Sequence, residues 1–244
     1  MSLYAYCLSD EVEPSMLEGC AGLEGARLRL VREGEIAVVV SEFEGARAEV
    51  TPENASAHNR VASRVLAETT PLPFRFGTLA SEAELRRYVG ENLEALSGSL
   101  VRVRGCVEMS VKILRDAGGT TSEGATAQAS EGRAANPGAQ MSVGRGAAYL
   151  AAKRREMFGR AALKEQAEEI AAWLAERLGD AVRESRVRVS GEGALAVRAA
   201  HLVERARLED YRELVRHARR EREPLVRFLT SGAWPPYSFS HAQI

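Results

Sequence analysis

Apolar residues near the start of the chain occur in short groups, which predicts β-strands. The groups at 3–8, 27–32 and 35–41 have the length of strands and are rich in Val, Leu and Tyr. Gly34 lies between the last two groups and suits the turn of a hairpin. We therefore expect three strands before residue 50.

The apolar spacing becomes helical after residue 50. Thr51 suits an N-cap and Pro52 the first helical position, so a helix is predicted there. A strand is predicted at 71–76, followed by a second helix whose Ser81 and Glu84 have capping-box spacing. The apolar faces of the two helices consist of Val61, Val65 and Leu66, and of Leu85, Tyr88, Val89, Leu93 and Leu96.

Residues 101–113 alternate between apolar and polar side chains, which is typical of a half-buried strand. Gly105 suits a bend or bulge within it. We expect one long strand here, with the following residues on its apolar face: Val101, Val103, Val107, Met109, Val111 and Ile113.

The stretch 116–142 contains five glycines and no Leu, Ile, Val or aromatic residue, which predicts a flexible surface loop. A long helix is predicted over 143–178. A hairpin at 185–203, a helix at 204–220 and a strand at 223–230 follow.

The order of these elements predicts an α+β fold with two domains. Residues 1–99 form a β-β-β-α-β-α unit, and the order β-α-β-β-α-β within residues 100–244 is ferredoxin-like. The C-terminal domain would carry the flexible loop and an extended aromatic and proline-rich tail at 231–244.

Composition limits the classes of function. Apolar residues make up 45% of the chain and the net charge is −1, so nothing global favours nucleic acid or an anionic membrane. Cys7, Cys20 and Cys106 show no CxxC spacing, which argues against disulfides and zinc and favours a reducing cytoplasm. With no signal-peptide pattern and with apolar runs such as 36–40 far too short to span a bilayer, we expect a soluble intracellular protein.

Residues with catalytic potential do not form a recognisable constellation. The four histidines, His58, His201, His217 and His241, lie in different elements without HExxH spacing, and no GxSxG motif is present. We therefore expect no catalytic centre, no metal and no cofactor.

The segment PLPFRFGT at 71–78 carries an arginine between two phenylalanines. Strand parity places Leu72, Phe74 and Phe76 on one face and Pro73 and Arg75 on the other. Arg75 is interpreted as an edge residue stacked on its neighbours, as an anchor paired with a carboxylate, or as a contact for another protein.

The segment SGAWPPYSF at 231–239 places three aromatic rings around two prolines. Pro235 and Pro236 exclude a helix, so the segment runs extended or turns. Because exposed rings form an apolar patch, they need a receptor on this molecule or on another. We expect the stiff Pro-Pro unit to direct Trp234 and Tyr237 into separate pockets, with Phe239 beyond them.

The segments PLPFRFGTL and GAWPPYSF, with AAYLAAKRREMF at 147–158 between them, resemble the signatures of the gas vesicle protein family GvpL/GvpF. The resemblance covers nearly the whole chain except 116–142. The chain departs from many relatives at Ala233, where proline is expected before the tryptophan.

This resemblance implies a non-enzymatic accessory or minor structural protein needed for gas vesicle formation in the cytoplasm. Its implied partners are the small hydrophobic shell protein and other accessory proteins, with no nucleic acid, membrane or small-molecule substrate. The candidates for partner binding or for clamping the domains together are Phe74, Arg75, Phe76, Tyr149, Trp234, Pro235, Pro236, Tyr237 and Phe239.

Two other functions compete with this one. A ferredoxin-like nucleic-acid-binding module would carry aromatic residues on its central strands, but the strands at 186–190 and 194–203 contain none. An enzyme that grips an anionic substrate with Arg75 would lack a partner for acid–base chemistry.

Overall fold

The computed structural model describes residues 2–115, 143–223, 225–240 and 242. These residues form two antiparallel β-sheets with helices packed against them, so the fold is α+β. The predicted loop at 116–142 lies outside the described residues.

The N-terminal sheet is built around its first strand. The strand order is β2-β3-β1-β4, and β5 also pairs with β1. Gly34 has a φ of 58° between β2 and β3, which confirms the predicted hairpin turn. The strands are β1 (Ser2–Ser9), β2 (Leu28–Glu33), β3 (Ile36–Phe43), β4 (Leu72–Pro73) and β5 (Leu79–Ala80).

Two predicted helix starts in this half are confirmed. Thr51 caps α1 (Pro52–Leu66) by accepting a hydrogen bond from the Asn54 amide at 3.1 Å. Ser81 and Glu84 form both bonds of a capping box at the start of α2 (Glu82–Glu91). The predicted second helix is shorter than expected, however. It ends at Glu91, and after Asn92 a separate helix, α3 (Leu93–Val103), begins.

The predicted strand over 101–113 is wrong in its first part. Residues 101–103 are the end of α3, and the strand β6 begins only at Cys106 and ends at Arg115. The apolar residues Leu96, Leu100 and Val103 are spaced by four and three, so they bury one helix face, while Val101 is 61% exposed. Gly105 follows the helix with a φ of 71°, where the chain changes direction.

The predicted strand at 71–76 is also wrong in part, because β4 ends at Pro73 and only the Phe74 amide still donates to β1, to the Tyr6 carbonyl at 2.9 Å. The chain turns, with the Thr78 amide donating to the Arg75 carbonyl at 3.2 Å, and returns to the sheet as β5. Leu72 and Phe74 are therefore buried in one core cluster, whereas Phe76 packs on a different cluster.

The C-terminal half has the predicted order β-α-β-β-α-β from β6 onward. Its sheet has the order β7-β8-β6-β9, with α4 and α5 contributing to the core on one face. The elements after β6 are α4 (Val143–Leu178), β7 (Glu184–Val189), β8 (Leu195–Glu204), α5 (Leu208–Arg222) and β9 (Val226–Trp234).

One hydrophobic cluster joins the two sheets. Leu8 and Phe74 of the N-terminal half share it with Leu100, with Leu202 of β8 and with Phe239 near the end of the chain. The predicted boundary between residues 99 and 100 falls inside α3. The division into two domains remains a prediction.

Candidate functional site

The segment that follows β9, residues 235–240, is folded as a compact turn and is called here the docked segment. The Phe239 and Ser240 amides both donate to the Pro236 carbonyl, at 3.0 and 2.9 Å. Pro235 and Pro236 are buried. Of the two alternatives for this segment, extended or turning, the residues after Pro236 turn, so the expectation of an extended tail is wrong.

Phe239 is the apolar anchor of the docked segment. Its side chain is fully buried in the cluster that joins the sheets. Its carbonyl accepts a hydrogen bond from Arg102 Nη2 at 2.7 Å, and the Arg186 guanidinium lies 5.5 Å from the ring centroid. Phe239 is thus held through its backbone by α3 and through its ring by β7 and the core.

Tyr237 contacts an aromatic group in the N-terminal half. Its hydroxyl donates to Asn59 Oδ1 at 3.4 Å, and its ring centroid lies 6.1 Å from that of His58. His58 shares a hydrogen bond of 3.0 Å with the Tyr4 hydroxyl. Burial raises the pKa of Tyr237 and lowers that of His58 to about 4, so both groups are neutral at pH 7.

Polar contacts fix the docked segment to both sheets. The Ser238 amide and hydroxyl donate to the two carboxylate oxygens of Glu108 on β6, each at 2.7 Å. The Ser240 hydroxyl donates to the Pro73 carbonyl of β4 at 2.8 Å. Burial raises the pKa of Glu108, while the two Ser238 donors oppose the shift.

Trp234 does not enter a pocket. It is the last residue of β9, lies opposite Glu108 in the sheet and is 38% exposed, with its indole N–H donating to Ser231 Oγ at 3.3 Å. Gly232 precedes it with a φ of 129°, and a Cβ there would lie 2.7 Å from the Glu108 carbonyl oxygen. Only glycine fits this close approach, which lies where the register of β6 and β9 shifts before Trp234.

The other predicted site residues are dispersed. Phe74 is fully buried, and Phe76 is half-buried beside Tyr4 and His58. Arg75 is exposed at the turn after β4 and has no ion pair with any residue that the structure describes. Tyr149 lies in the first part of α4, and its side chain is outside the described part of the chain.

An exposed apolar pair on α4 was missed by the sequence interpretation. Phe158 is 74% exposed and Met157 is 61% exposed, on a part of the helix where every described side chain up to residue 166 is exposed. Both residues belong to the motif at 147–158. The signal was present in that motif, but helical spacing alone did not tell a buried apolar face from an exposed one.

A cleft of about 670 Å³ lies between the two sheets beside the docked segment. Arginine side chains from both halves of the molecule line it, together with Tyr237, Ser238 and Ser240. The arginines of this cationic cleft are Arg75, Arg186, Arg188 and Arg198.

The described residues contain no group of three or more His, Cys, Asp or Glu side chains that could hold a metal ion. His201 resembles His58, since it shares a hydrogen bond of 2.8 Å with the Tyr211 hydroxyl and burial lowers its pKa to about 4. His58 and His201 are thus each a neutral partner of a core tyrosine at pH 7.

Within the described residues, no helix is both long enough and apolar enough to cross a membrane.

These observations define an α+β protein in which a C-terminal aromatic segment joins two antiparallel sheets. Residues 2–241 match the model of a family described as gas vesicle synthesis protein GvpL/GvpF, and the chain belongs to this family.

Individual relatives agree with the family match. Gas vesicle protein L of Streptomyces sp. (strain CB03234) is 28% identical, and the alignment covers 97% of this chain and 92% of the relative. The crystal structure of the gas vesicle protein GvpF from Anabaena sp. PCC7120 is similar in fold, with a TM-score of 0.74, 16% identity and coverage of 100% and 97%. GvpF from Microcystis aeruginosa gives a TM-score of 0.74, 14% identity and 99% coverage of both chains.

Proposed function

We propose that this chain is a non-enzymatic accessory protein of gas vesicle formation that binds other vesicle polypeptides, the small hydrophobic shell protein among them, in the cytoplasm. Family membership supports the accessory role in gas vesicles. The binding role is supported by a division among the aromatic residues. Most of the described aromatic rings are buried in or packed on the core clusters, whereas Phe158 and Trp234 are exposed and available to a partner.

The exposed pair on α4 carries the proposal. A phenylalanine that is 74% exposed next to a methionine that is 61% exposed leaves apolar surface in water. Such surface on a folded protein marks a contact with another polypeptide or an aggregation hazard. A hydrophobic shell subunit needs such a contact before assembly, because unprotected apolar patches and strand edges aggregate.

The same proposal includes a finer description of the fold. We interpret residues 1–99 and 100–244 as two domains, the second ferredoxin-like, because β6 and β8 are central in its sheet and α4 and α5 contribute to the core on one face. Phe74, Phe76, Pro235, Pro236, Tyr237 and Phe239 then clamp the domains together. Arg75, Tyr149 and Trp234 remain as candidates for partner binding.

The test is a Phe158→Ser substitution in the full chain, measured by vesicle formation in a cell and by capture of the purified shell protein. We expect both to be lost while thermal unfolding is unchanged, because the ring is exposed. Val101→Ser on α3 is the control, since Val101 is another exposed apolar residue on a helix outside α4. Normal vesicles and normal capture with Phe158→Ser would contradict the proposed binding surface.

A further inference from the structure

Three cations lie side by side on the C-terminal sheet. Arg188 of β7 is directly opposite Arg198 of β8, and Arg198 is directly opposite Lys112 of β6. Directly opposed side chains project from the same face of a sheet, and all three of these residues are exposed. Like charges in this arrangement repel, so the row destabilises the protein on its own.

The cationic cleft adds a further charge from the other sheet. Arg75 lines it from the turn after β4, and Arg188 and Arg198 line the same cleft from the C-terminal sheet. The described residues that line the cleft include no Asp or Glu. The arginines of the cleft therefore come from the strands β7 and β8 and from one turn, without a carboxylate among its described lining.

Exposed arginines elsewhere in the molecule are commonly paired. Arg29 contacts Glu82 at 2.9 Å, and Arg177 contacts Glu221 at 3.1 Å. By contrast, the residues described by the structure offer no ion-pair partner to Arg75, Lys112, Arg188 or Arg198. Arg186 differs from these four, since it lies 3.8 Å from Glu184 and contacts the Phe239 ring.

Protection of a sheet edge explains only part of this charge. The strand β7 is at the edge of its sheet, and charged side chains on an edge strand prevent pairing with other chains. Arg198 and Lys112, however, lie on the interior strands β8 and β6, and Arg75 belongs to the other half of the molecule. Edge protection does not require cations at these positions.

We propose that the cationic cleft binds an acidic extended segment of a partner protein through Arg75, Arg188 and Arg198, with Lys112 beside them. Planar guanidinium groups bind carboxylates with two hydrogen bonds, so successive acidic side chains suit this row. The volume of about 670 Å³ is within the range of ligand sites. That the partner is a gas vesicle protein rests on the proposed function, whereas the chemistry of the cleft does not.

The lining favours carboxylates over single-stranded nucleic acid. Proteins that bind single strands stack the bases on exposed aromatic rings. Among the described lining residues Tyr237 alone has an aromatic ring, and that ring already contacts His58. The cleft thus supplies charge and planar donors without a free stacking platform.

The experiment measures binding of a fluorescein-labelled peptide of ten alternating Glu and Gly residues to the purified full chain by fluorescence anisotropy. We expect Arg188→Gln combined with Arg198→Gln to weaken binding about tenfold, and added salt to weaken binding to the unaltered protein. The matched control is Arg220→Gln, an exposed arginine on α5 without an ion pair among the described residues, and it should bind normally. The double variant should keep or raise Tm, because it removes the facing cations.

Three results would overturn the proposal. These are equal binding by the double variant and the control, tighter binding of an oligonucleotide of the same charge, and full displacement of the peptide by inorganic phosphate at equal charge concentration. The outcome is separable from that of Phe158→Ser, which lies outside the cleft. If Phe158→Ser loses capture of the shell protein but still binds the peptide, the surface at Phe158 and the cationic cleft act independently.

Discussion

Trp234 and Phe239 lie five residues apart in the same aromatic segment, yet they have opposite environments. Phe239 is fully buried in the cluster that joins the two sheets, while Trp234 is 38% exposed at the end of β9. The backbone causes this difference. Trp234 is still held in the sheet opposite Glu108, whereas the chain after Pro236 turns and directs Phe239 inward.

The comparison shows that an aromatic and proline-rich segment need not act as one unit. The prolines cannot donate to the ladder, so they end β9 and begin the turn. Rings before them follow the sheet register, and rings after them follow the turn. We therefore expect Trp234 and Phe239 to contribute unequally to the free energy of unfolding, as they are unequally buried.

The largest effect is expected for Phe239→Ala. Removing a fully buried ring leaves a cavity between the two sheets, and such substitutions cost about 3–5 kcal/mol of unfolding free energy. Chemical denaturation of the full chain measures this loss. A loss below about 1 kcal/mol would show that the segment contributes little to holding the sheets together.

Acid should weaken the packing of the docked segment through His58, which Tyr237 contacts. The pKa of His58 in the native state is about 4, below the ordinary 6.5. As the pH falls, the unfolded chain therefore binds a proton at His58 before the folded chain does. The stabilising contribution of the neutral ring is complete above pH 6.5 and is lost between pH 6.5 and about 4. The loss is on the order of 3 kcal/mol.

Hydrogen exchange of the Phe239 amide at pH 4 and pH 7 checks this effect, after correction for intrinsic rates. We expect protection to fall in acid in the unaltered chain and to fall less in His58→Gln. His201→Gln is the matched control, because its pKa is also lowered to about 4 but its partner is Tyr211 of the C-terminal half. Identical behaviour of the two variants would mean that acid acts on the whole molecule and not on the docked end.

The smallest effect is expected for Trp234→Ala. The ring is 38% exposed and its indole N–H makes one exposed hydrogen bond, to Ser231, so unfolding free energy should fall by about 1 kcal/mol or less. Thermal unfolding of Trp234→Ala and of Phe239→Ala under the same conditions compares the two losses. Equal losses from the two substitutions would remove the distinction between the ends.

The sequence predicted local structure well where the signals were local. The caps at Thr51 and Ser81, the hairpin turn at Gly34 and the order of elements in the C-terminal half depend on neighbouring residues or on simple alternation. The pattern failed at residues 101–103, where Val103 belongs to the buried helix face of Leu96 and Leu100 while Val101 is exposed.

The candidate site was harder to predict because its contacts are long-range. Glu108 and Ser238 are 130 positions apart, and nothing in either segment indicates the other. The facing cations Arg188 and Arg198 could be found only once the register of β7 and β8 was known. Phe74 and Phe239 were identified as candidates, but their burial in one cluster depends on the packing of both sheets.

The central claim is that the docked segment is part of the core of this molecule. The most direct measurement is thermal unfolding of a chain that ends after Trp234, compared with the full chain, together with capture of the shell protein. We expect a fall in Tm at least as large as that of Phe239→Ala, because Phe239 and the Glu108 contacts are both lost. An unchanged Tm with lost capture would contradict it, because the segment would then serve the partner and not the fold.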